Sequence, residues 1–184
     1  MTAASVLEYV NEQQHLLTGL LRDLVEAESP SAHPETHDDV RRILRLALAS
    51  VGYDSREAGA PEQPRHMFAR PAERVRGRPS QLVVGHFDTV WPVGTTEERP
   101  FRIDGNVVHG PGSFDMKGGL AQLILALHAI RDLRLETPVV PVVFVNADEE
   151  IGSRSSTRYI RLLASHASRA FVLEPALGER GDIK

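Results

Sequence analysis

The chain contains no cysteine. Disulfides and thiolate zinc sites are therefore excluded, and any bound metal must rest on histidine and carboxylate side chains. There is no run of 18 apolar residues, so no segment reads as a membrane-spanning helix. The opening stretch "MTAASVLEYVNEQQH" lacks a basic n-region and an unbroken apolar h-region. No secretory signal is expected from it, and a cytoplasmic location is. Positive charge is not in excess: 21 Lys and Arg face 25 Asp and Glu, for a formal net charge of -4 and a pI of about 6.1. That balance gives no electrostatic case for nucleic acid or an anionic membrane as partner. Lysine itself is scarce, at Lys117 and Lys184 alone, which reads as compositional bias.

What remains is ordinary for a soluble domain, with 41% hydrophobic and 25% charged residues. A chain of 184 residues suits one domain, and it can bury roughly two-thirds of its unfolded surface. Helical spacing of Val6, Leu7, Val10, Leu17, Leu20, Leu21, Leu24 and Val25 predicts one amphipathic helix over 4–27. "ESPSAHPE" breaks it. Val40, Ile43, Leu44, Ala47, Leu48 and Val51 predict a second helix, ended by Gly52. Proline-rich 54–80 is expected to hold two weak strands joined by irregular chain. "QLVVGH" (81–86), "VVPVVFVNA" (139–147) and "RAFVLE" (169–174) read as buried strands. Pro141 weakens the second locally, because it cannot donate to a ladder. "FRIDGNVVH" (101–109) carries a hairpin signal at Asp104-Gly105. Further helices are expected over 120–130 and 153–164. Strands alternating with helices imply an α/β fold with a largely parallel sheet.

The polar residues fall at one edge of that map. His86 and Asp88 stand at the end of the first buried strand. Glu149 and Glu150 stand just past the second, and Glu174 closes the third. Asp115 precedes a helix in "GPGSFD". Ligands of open α/β sheets bind outside the carboxyl ends of the strands. Carboxylates crowded there would hold protons or repel, and a divalent cation removes the conflict. His86-Phe87-Asp88 puts two side chains on one face of an extended segment, so Asp88 can orient the imidazole. In extended chain Glu149 and Glu150 point apart, which assigns them different roles.

"GHFDTVWPVGT" (85–95), "GPGSFDMKGG" (110–119), "NADEEIGS" (146–153) and "VLEP" (172–175) together resemble peptidase family M-twenty, the di-zinc aminoacylase and carboxypeptidase group. Trp91-Pro92 and "DMKGG" are most similar to its glutamate carboxypeptidase branch. The resemblance implies a three-layer sandwich, zinc exopeptidase-like, with helices flanking the central sheet. It implies His86, Asp115 and Glu174 on a first zinc, Asp115 bridging, Glu150 on a second, Glu149 as general base and Asp88 supporting His86. Cobalt or manganese could replace zinc. It also implies a cis peptide between Asp115 and Met116, and a homodimeric full-length form acting on a small peptide or N-acyl amino acid. The family's further zinc histidine follows an inserted dimerisation domain. Both lie beyond Lys184, so 1–184 is expected to be a partial, C-terminally incomplete catalytic domain and a weak catalyst alone.

The reaction implied is zinc-dependent hydrolysis of an amide next to a free carboxylate. Three other readings stand beside it: an N-acyl-amino-acid deacylase on the same scaffold, an inactive metal-binding fragment, and a phosphate or nucleotide binder through 110–119. The last lacks the Gly-Lys-Ser/Thr order such a loop requires. Out of context, Asp148-Glu149-Glu150 would read as a solvated acidic turn, and Ser153, Ser155 and Ser156 as helix caps. His109 is a candidate to reach the site. His15, His33, His37, His66, His128 and His166 read as surface residues.

Overall fold

The computed structural model describes residues 3–73, 77–178 and 181. Two helices stand where the apolar spacing predicts one: α1 (Ala3–Glu12) and α2 (Gln14–Glu26), with Gln13 between them at φ -96, ψ 16. They answer to different partners. α2 buries Leu21, Leu24 and Val25, whereas α1 buries nothing and is held through Tyr9, whose hydroxyl donates to Asp132 at 2.6 Å. α3 (Asp38–Ser50) follows, burying Val40, Leu44 and Leu48.

The two weak strands expected in 54–80 are β1 (Tyr53–Ala58) and β2 (His66–Pro71), an antiparallel pair. Residues 74–76 of that stretch lie outside the described residues. β3 (Ser80–His86), a short helix α4 (Thr95–Glu98) and a hairpin of β4 (Arg102–Asp104) and β5 (Val107–His109) come next. An irregular turn, Ser113–Lys117, leads into α5 (Gly118–Asp132). β6 (Val140–Asn146), α6 (Thr157–Ser165) and β7 (Arg169–Val172) complete the order.

The central sheet runs β1-β2-β6-β3-β7, with β6, β3 and β7 parallel and β1 and β2 antiparallel to their neighbours. Helices cover both faces, which makes three layers. On one face Leu24, Leu44, Leu48, Leu120, Ile124 and Leu127 pack with Val83, Val143 and Val145. On the other, Tyr159, Ile160 and Leu163 of α6 pack on Leu82, Val84 and Phe144. Each fully buried aliphatic side chain contributes about 1.5–3 kcal/mol.

Pro141 sits inside β6 without breaking it. Pairing with β2 covers only Val143 to Val145, so its missing N–H costs no ladder bond there. Its carbonyl accepts instead from the Tyr53 hydroxyl at 3.2 Å. The third strand departs from expectation. β7 is not buried on both faces: all four of its residues are exposed, because it forms the sheet's edge beside β3. Its pairing still sets its end, as the Leu173 N–H donates to the Val84 carbonyl at 2.9 Å.

Gly119 lets α5 pass beside that end. A Cβ there would collide with the Leu173 carbonyl and approach Met116 Cε to 3.1 Å. Gly119→Ala is therefore expected to cost about 1–3 kcal/mol and to displace the neighbouring Glu174. Thermal unfolding with a cobalt titration checks both, and an unchanged midpoint would refute the contact.

Candidate metal centre

Parallel pairing aligns the three strand ends. His86 pairs with Asn146 across β3 and β6, and Val84 pairs with Val172 across β3 and β7. The segments leaving β6 and β7 therefore start on either side of His86. Beneath it the Ser113–Lys117 turn brings Asp115 up from the head of α5. The Asp115–Met116 peptide is cis. Gly112, at φ +68, opens this turn, and a Cβ there would strike Thr89. Met116 is fully buried, and its sulfur accepts the His86 N–H at 3.1 Å.

The site is a pit with histidine at its floor. The His86 side chain is 1% exposed, against 42% for Asp115, 44% for Glu149 and 24% for Glu174, so the acids rise from a buried ring toward solvent. His86 Nε2 lies 3.1 Å from Asp115 Oδ1, 3.1 Å from Glu174 Oε1 and 3.8 Å from Glu149 Oε2. Two overlapping ligand groups result, His86 with Glu149 and Glu174, and His86 with Asp115 and Glu150. Within each, the donor atoms lie within 4.8 Å of one another. The five residues lie together with Asp88 behind them, but the grouping differs from the expected one: Glu149, not Asp115, falls with His86 and Glu174, and Asp115 falls with His86 and Glu150.

Glu149 and Glu150 do not lie in extended chain, so the argument that neighbours must point apart fails here. Both belong to a turn closed by Gly152 N–H on the Glu149 carbonyl (2.8 Å) and Ser153 N–H on the Asp148 carbonyl (2.7 Å). A turn can aim two successive side chains at one point, and both carboxylates reach a ligand group.

Asp148 has a different task. It is buried, and its carboxylate accepts the N–H groups of Ser155 (2.7 Å) and Ser156 (3.2 Å) and both of their hydroxyls. No side chain caps α6, so the serines are not the caps expected of them; Asp148 instead fastens the turn that leads into the helix. Burial alone would raise its pKa, but the bonds from Ser156 and Ser155 overcome this and hold it below the usual carboxylate range. His66 joins the same network, accepting from Ala147 N–H at 3.2 Å and contacting Ser155 Oγ at 3.0 Å. His66 and His37 are fully buried, not surface residues.

Asp88 is buried and ties the halves of the pit together. Its carboxylate accepts the N–H groups of Glu149 (3.1 Å) and Glu150 (3.3 Å) and the Ser31 hydroxyl (2.7 Å). His86 Nδ1 lies 3.0 Å from the Asp88 carbonyl and 3.4 Å from Oδ1. These acceptors hold a ring proton on Nδ1 and turn Nε2 toward the acids. Two carboxylate oxygens 3.1 Å from that nitrogen call for positive charge, which either a second ring proton on Nε2 or a bound cation supplies. Burial opposes charge on His86, yet the hydrogen bond and charge of Asp88, then Glu174 and Glu149, raise its pKa to about 9. Burial, reinforced by neighbouring acids against the pull of His86, pushes Glu149 and Glu150 up. Once Nε2 gives up its proton, the donor set of one imidazole nitrogen and four carboxylates fits a divalent cation with nitrogen and oxygen ligands.

Lys117 is more than compositional bias. It is 1% exposed, burial lowers its pKa to about 7, and Nζ donates to the Ala27 carbonyl at 3.0 Å. Turned inward, it cannot meet a phosphate, which removes the reading of 110–119 as a phosphate loop. A lone internal lysine in an arginine-rich chain was the available signal. His109 lies in β5 and lines a separate cavity of about 460 Å³ with Trp91, Arg99 and Pro111. It is in neither ligand group.

Known proteins resemble this chain in sequence and in fold. The model of Peptidase family M20/M25/M40 matches residues 82–184. Carboxypeptidase G2 of Pseudomonas sp. (strain RS-16) is 34% identical over 175 residues, covering 92% of this chain and 41% of that protein. Acetylornithine deacetylase of Klebsiella pneumoniae (strain 342) is 28% identical over 192 residues, covering 89% and 49%. The chain thus spans less than half the length of these curated relatives. In fold it is similar to human carnosine dipeptidase 1, with a TM-score of 0.78 at 18% identity, over 95% of this chain and 43% of that one. The di-peptidase Dug1p of Saccharomyces cerevisiae gives 0.79 at 18% identity, over 94% and 41%. With the motifs, the sheet order and the convergent acids in place, the chain belongs to peptidase family M20/M25/M40.

Proposed function

We propose that this chain supplies the metal-binding part of a hydrolase that cleaves an amide bond next to a free carboxylate. The observation that carries the proposal is the convergence of Asp115, Glu149, Glu150 and Glu174 on His86 Nε2. His86, Asp115 and Glu174 would hold one divalent cation, and Asp115 with Glu150 a second, zinc being the best match to the donors. When bound, such a cation supplies Lewis acidity to a substrate carbonyl and to water. Asp88 keeps the His86 ring turned so that Nε2 stays available. Glu149, the most open of the acids whose exposure is given above, takes the proton of the attacking water at its carboxylate. It then returns that proton to the departing nitrogen as the C–O bond forms and the C–N bond breaks. The similarity to carboxypeptidase G2 favours a peptide-like substrate bearing a free carboxylate. An N-acyl amino acid is the second reading, favoured by the likeness to acetylornithine deacetylase.

The two glutamates provide the test. Glu149→Gln should keep metal affinity within a few-fold and lower hydrolysis by about 10²–10⁴-fold. Glu150→Gln should instead lose the second metal. Stoichiometry by equilibrium dialysis and turnover of an N-acyl glutamate separate the two, and equal metal loss in both variants would end the division of roles.

A further inference from the structure

The segment Ala27–Ser31, which the sequence presents only as the break after the first helix, is the outer frame of the pit. Pro30 forms a parallel bridge with Thr89. Around it, Thr89 N–H donates to the Ser29 carbonyl (2.9 Å), Ser31 N–H to the Thr89 carbonyl (3.0 Å), and Ser29 Oγ to the Phe87 carbonyl (2.6 Å). The same segment reaches two further parts of the chain. Lys117 is anchored on Ala27, and the Glu28 carboxylate accepts from Gly94 N–H (2.7 Å), Thr96 N–H (2.8 Å) and Thr96 Oγ1 (2.9 Å). His37, fully buried and edge-on to Phe87, braces the frame from behind with Nε2 2.8 Å from the Pro30 carbonyl.

On this frame one side chain addresses the ligands. We infer that Ser31 is a positioning residue of the metal centre, setting the rotation of the Asp88 carboxylate and through it the His86 ring and the Glu149-Glu150 backbone. The inference rests on the metal-centre reading above. Asp88 divides its two oxygens between different duties. Oδ1 faces Glu149 N–H at 3.1 Å and His86 Nδ1 at 3.4 Å, while Oδ2 faces Ser31 Oγ at 2.7 Å and Glu150 N–H at 3.3 Å. The Ser31 contact is the shortest of the four, and it alone comes from outside the segments that carry the ligands. Ser31 Oγ has another acceptor, the Thr89 carbonyl at 3.2 Å, but one hydroxyl proton serves the shorter, charge-assisted bond first. Ser31 is 6% exposed and Asp88 fully buried, so bulk solvent does not reach this bond. Without it Oδ2 keeps only its 3.3 Å contact, and the carboxylate can turn away from His86.

The test uses the whole chain and cobalt(II) as the probe. Ser31→Ala should weaken cobalt binding by about tenfold, the lower end of what losing a ligand's supporting partner costs. It should also change the visible spectrum of the cobalt-saturated protein, because the His86 ring is no longer fixed. Ser31→Thr, which keeps the donor, should restore both. Ser31→Gly removes the donor with a different effect on folding, and it carries the comparison if the alanine variant does not fold. A merely structural role would lower the metal-free melting temperature and leave the saturated spectrum unchanged. Wild-type affinity and spectrum in folded Ser31→Ala or Ser31→Gly would overturn the inference. Failure of the unaltered chain to take up cobalt is a separate result, and it would overturn the metal centre itself.

Discussion

His86→Ala should abolish specific binding of zinc or cobalt by this chain. Both ligand groups contain His86, and its Nε2 is the one nitrogen either of them offers. Removing the ring leaves carboxylates on three separate segments, and no directed donor at the floor of the pit. The loss should exceed the roughly 10–100-fold that follows removal of a residue merely supporting a ligand. A solvated acidic cluster would behave differently: it would attract divalent cations weakly and be indifferent to one neutral ring. Competition titration of both proteins against a chromophoric chelator makes the comparison. Equal affinities would mean that the acids, without His86, account for whatever binds.

Asp148→Ala should produce the largest loss of stability among the acid replacements, with the ligand groups themselves untouched. Its carboxylate satisfies two N–H groups in the turn that leads into α6 and two serine hydroxyls. The hydroxyls can turn to other acceptors, but the N–H groups of Ser155 and Ser156 cannot. Each buried donor left unsatisfied costs about 1–3 kcal/mol, so a loss of about 3 kcal/mol or more is expected. In a chain of this size that lowers the melting temperature by roughly 6–12 °C. Glu149→Gln, on a side chain 44% exposed, should move it far less. Calorimetry on the two metal-free variants decides, and similar midpoints would show that Asp148 does not hold the turn before α6.

The two predictions divide the run Asp148-Glu149-Glu150 between folding and chemistry, and they show what sequence could and could not reveal. Strand ends were legible because "LVVGH" and "VVFVN" are short apolar runs followed by acids, and parallel strands put such ends together. The placement of the four ligand candidates and Glu149 followed from that alignment, and their separate roles from the family resemblance. The turn at 148–153 was not legible: hydrophobic period says nothing about how chain leaves a strand, and the extended geometry assumed for Glu149-Glu150 was wrong. Asp148 was hidden for the same reason, since its donors lie seven and eight residues onward. The break at Gln13 escaped because apolar spacing records only the buried face, and α1 buries nothing. β7 read as buried because its composition is apolar, although an edge strand of the same composition stays exposed. The frame at Ala27–Ser31 carried no periodic signal at all. Its role comes from contacts 57 and 58 residues away in sequence.

X-ray absorption at the zinc edge of the metal-loaded chain tests the central claim, that these residues form one metal centre. The account predicts a shell of nitrogen and oxygen only, at about 2.0–2.2 Å, with the multiple-scattering signature of a single imidazole that disappears in His86→Ala. A shell of water oxygens without imidazole, or one containing several histidines, would contradict it.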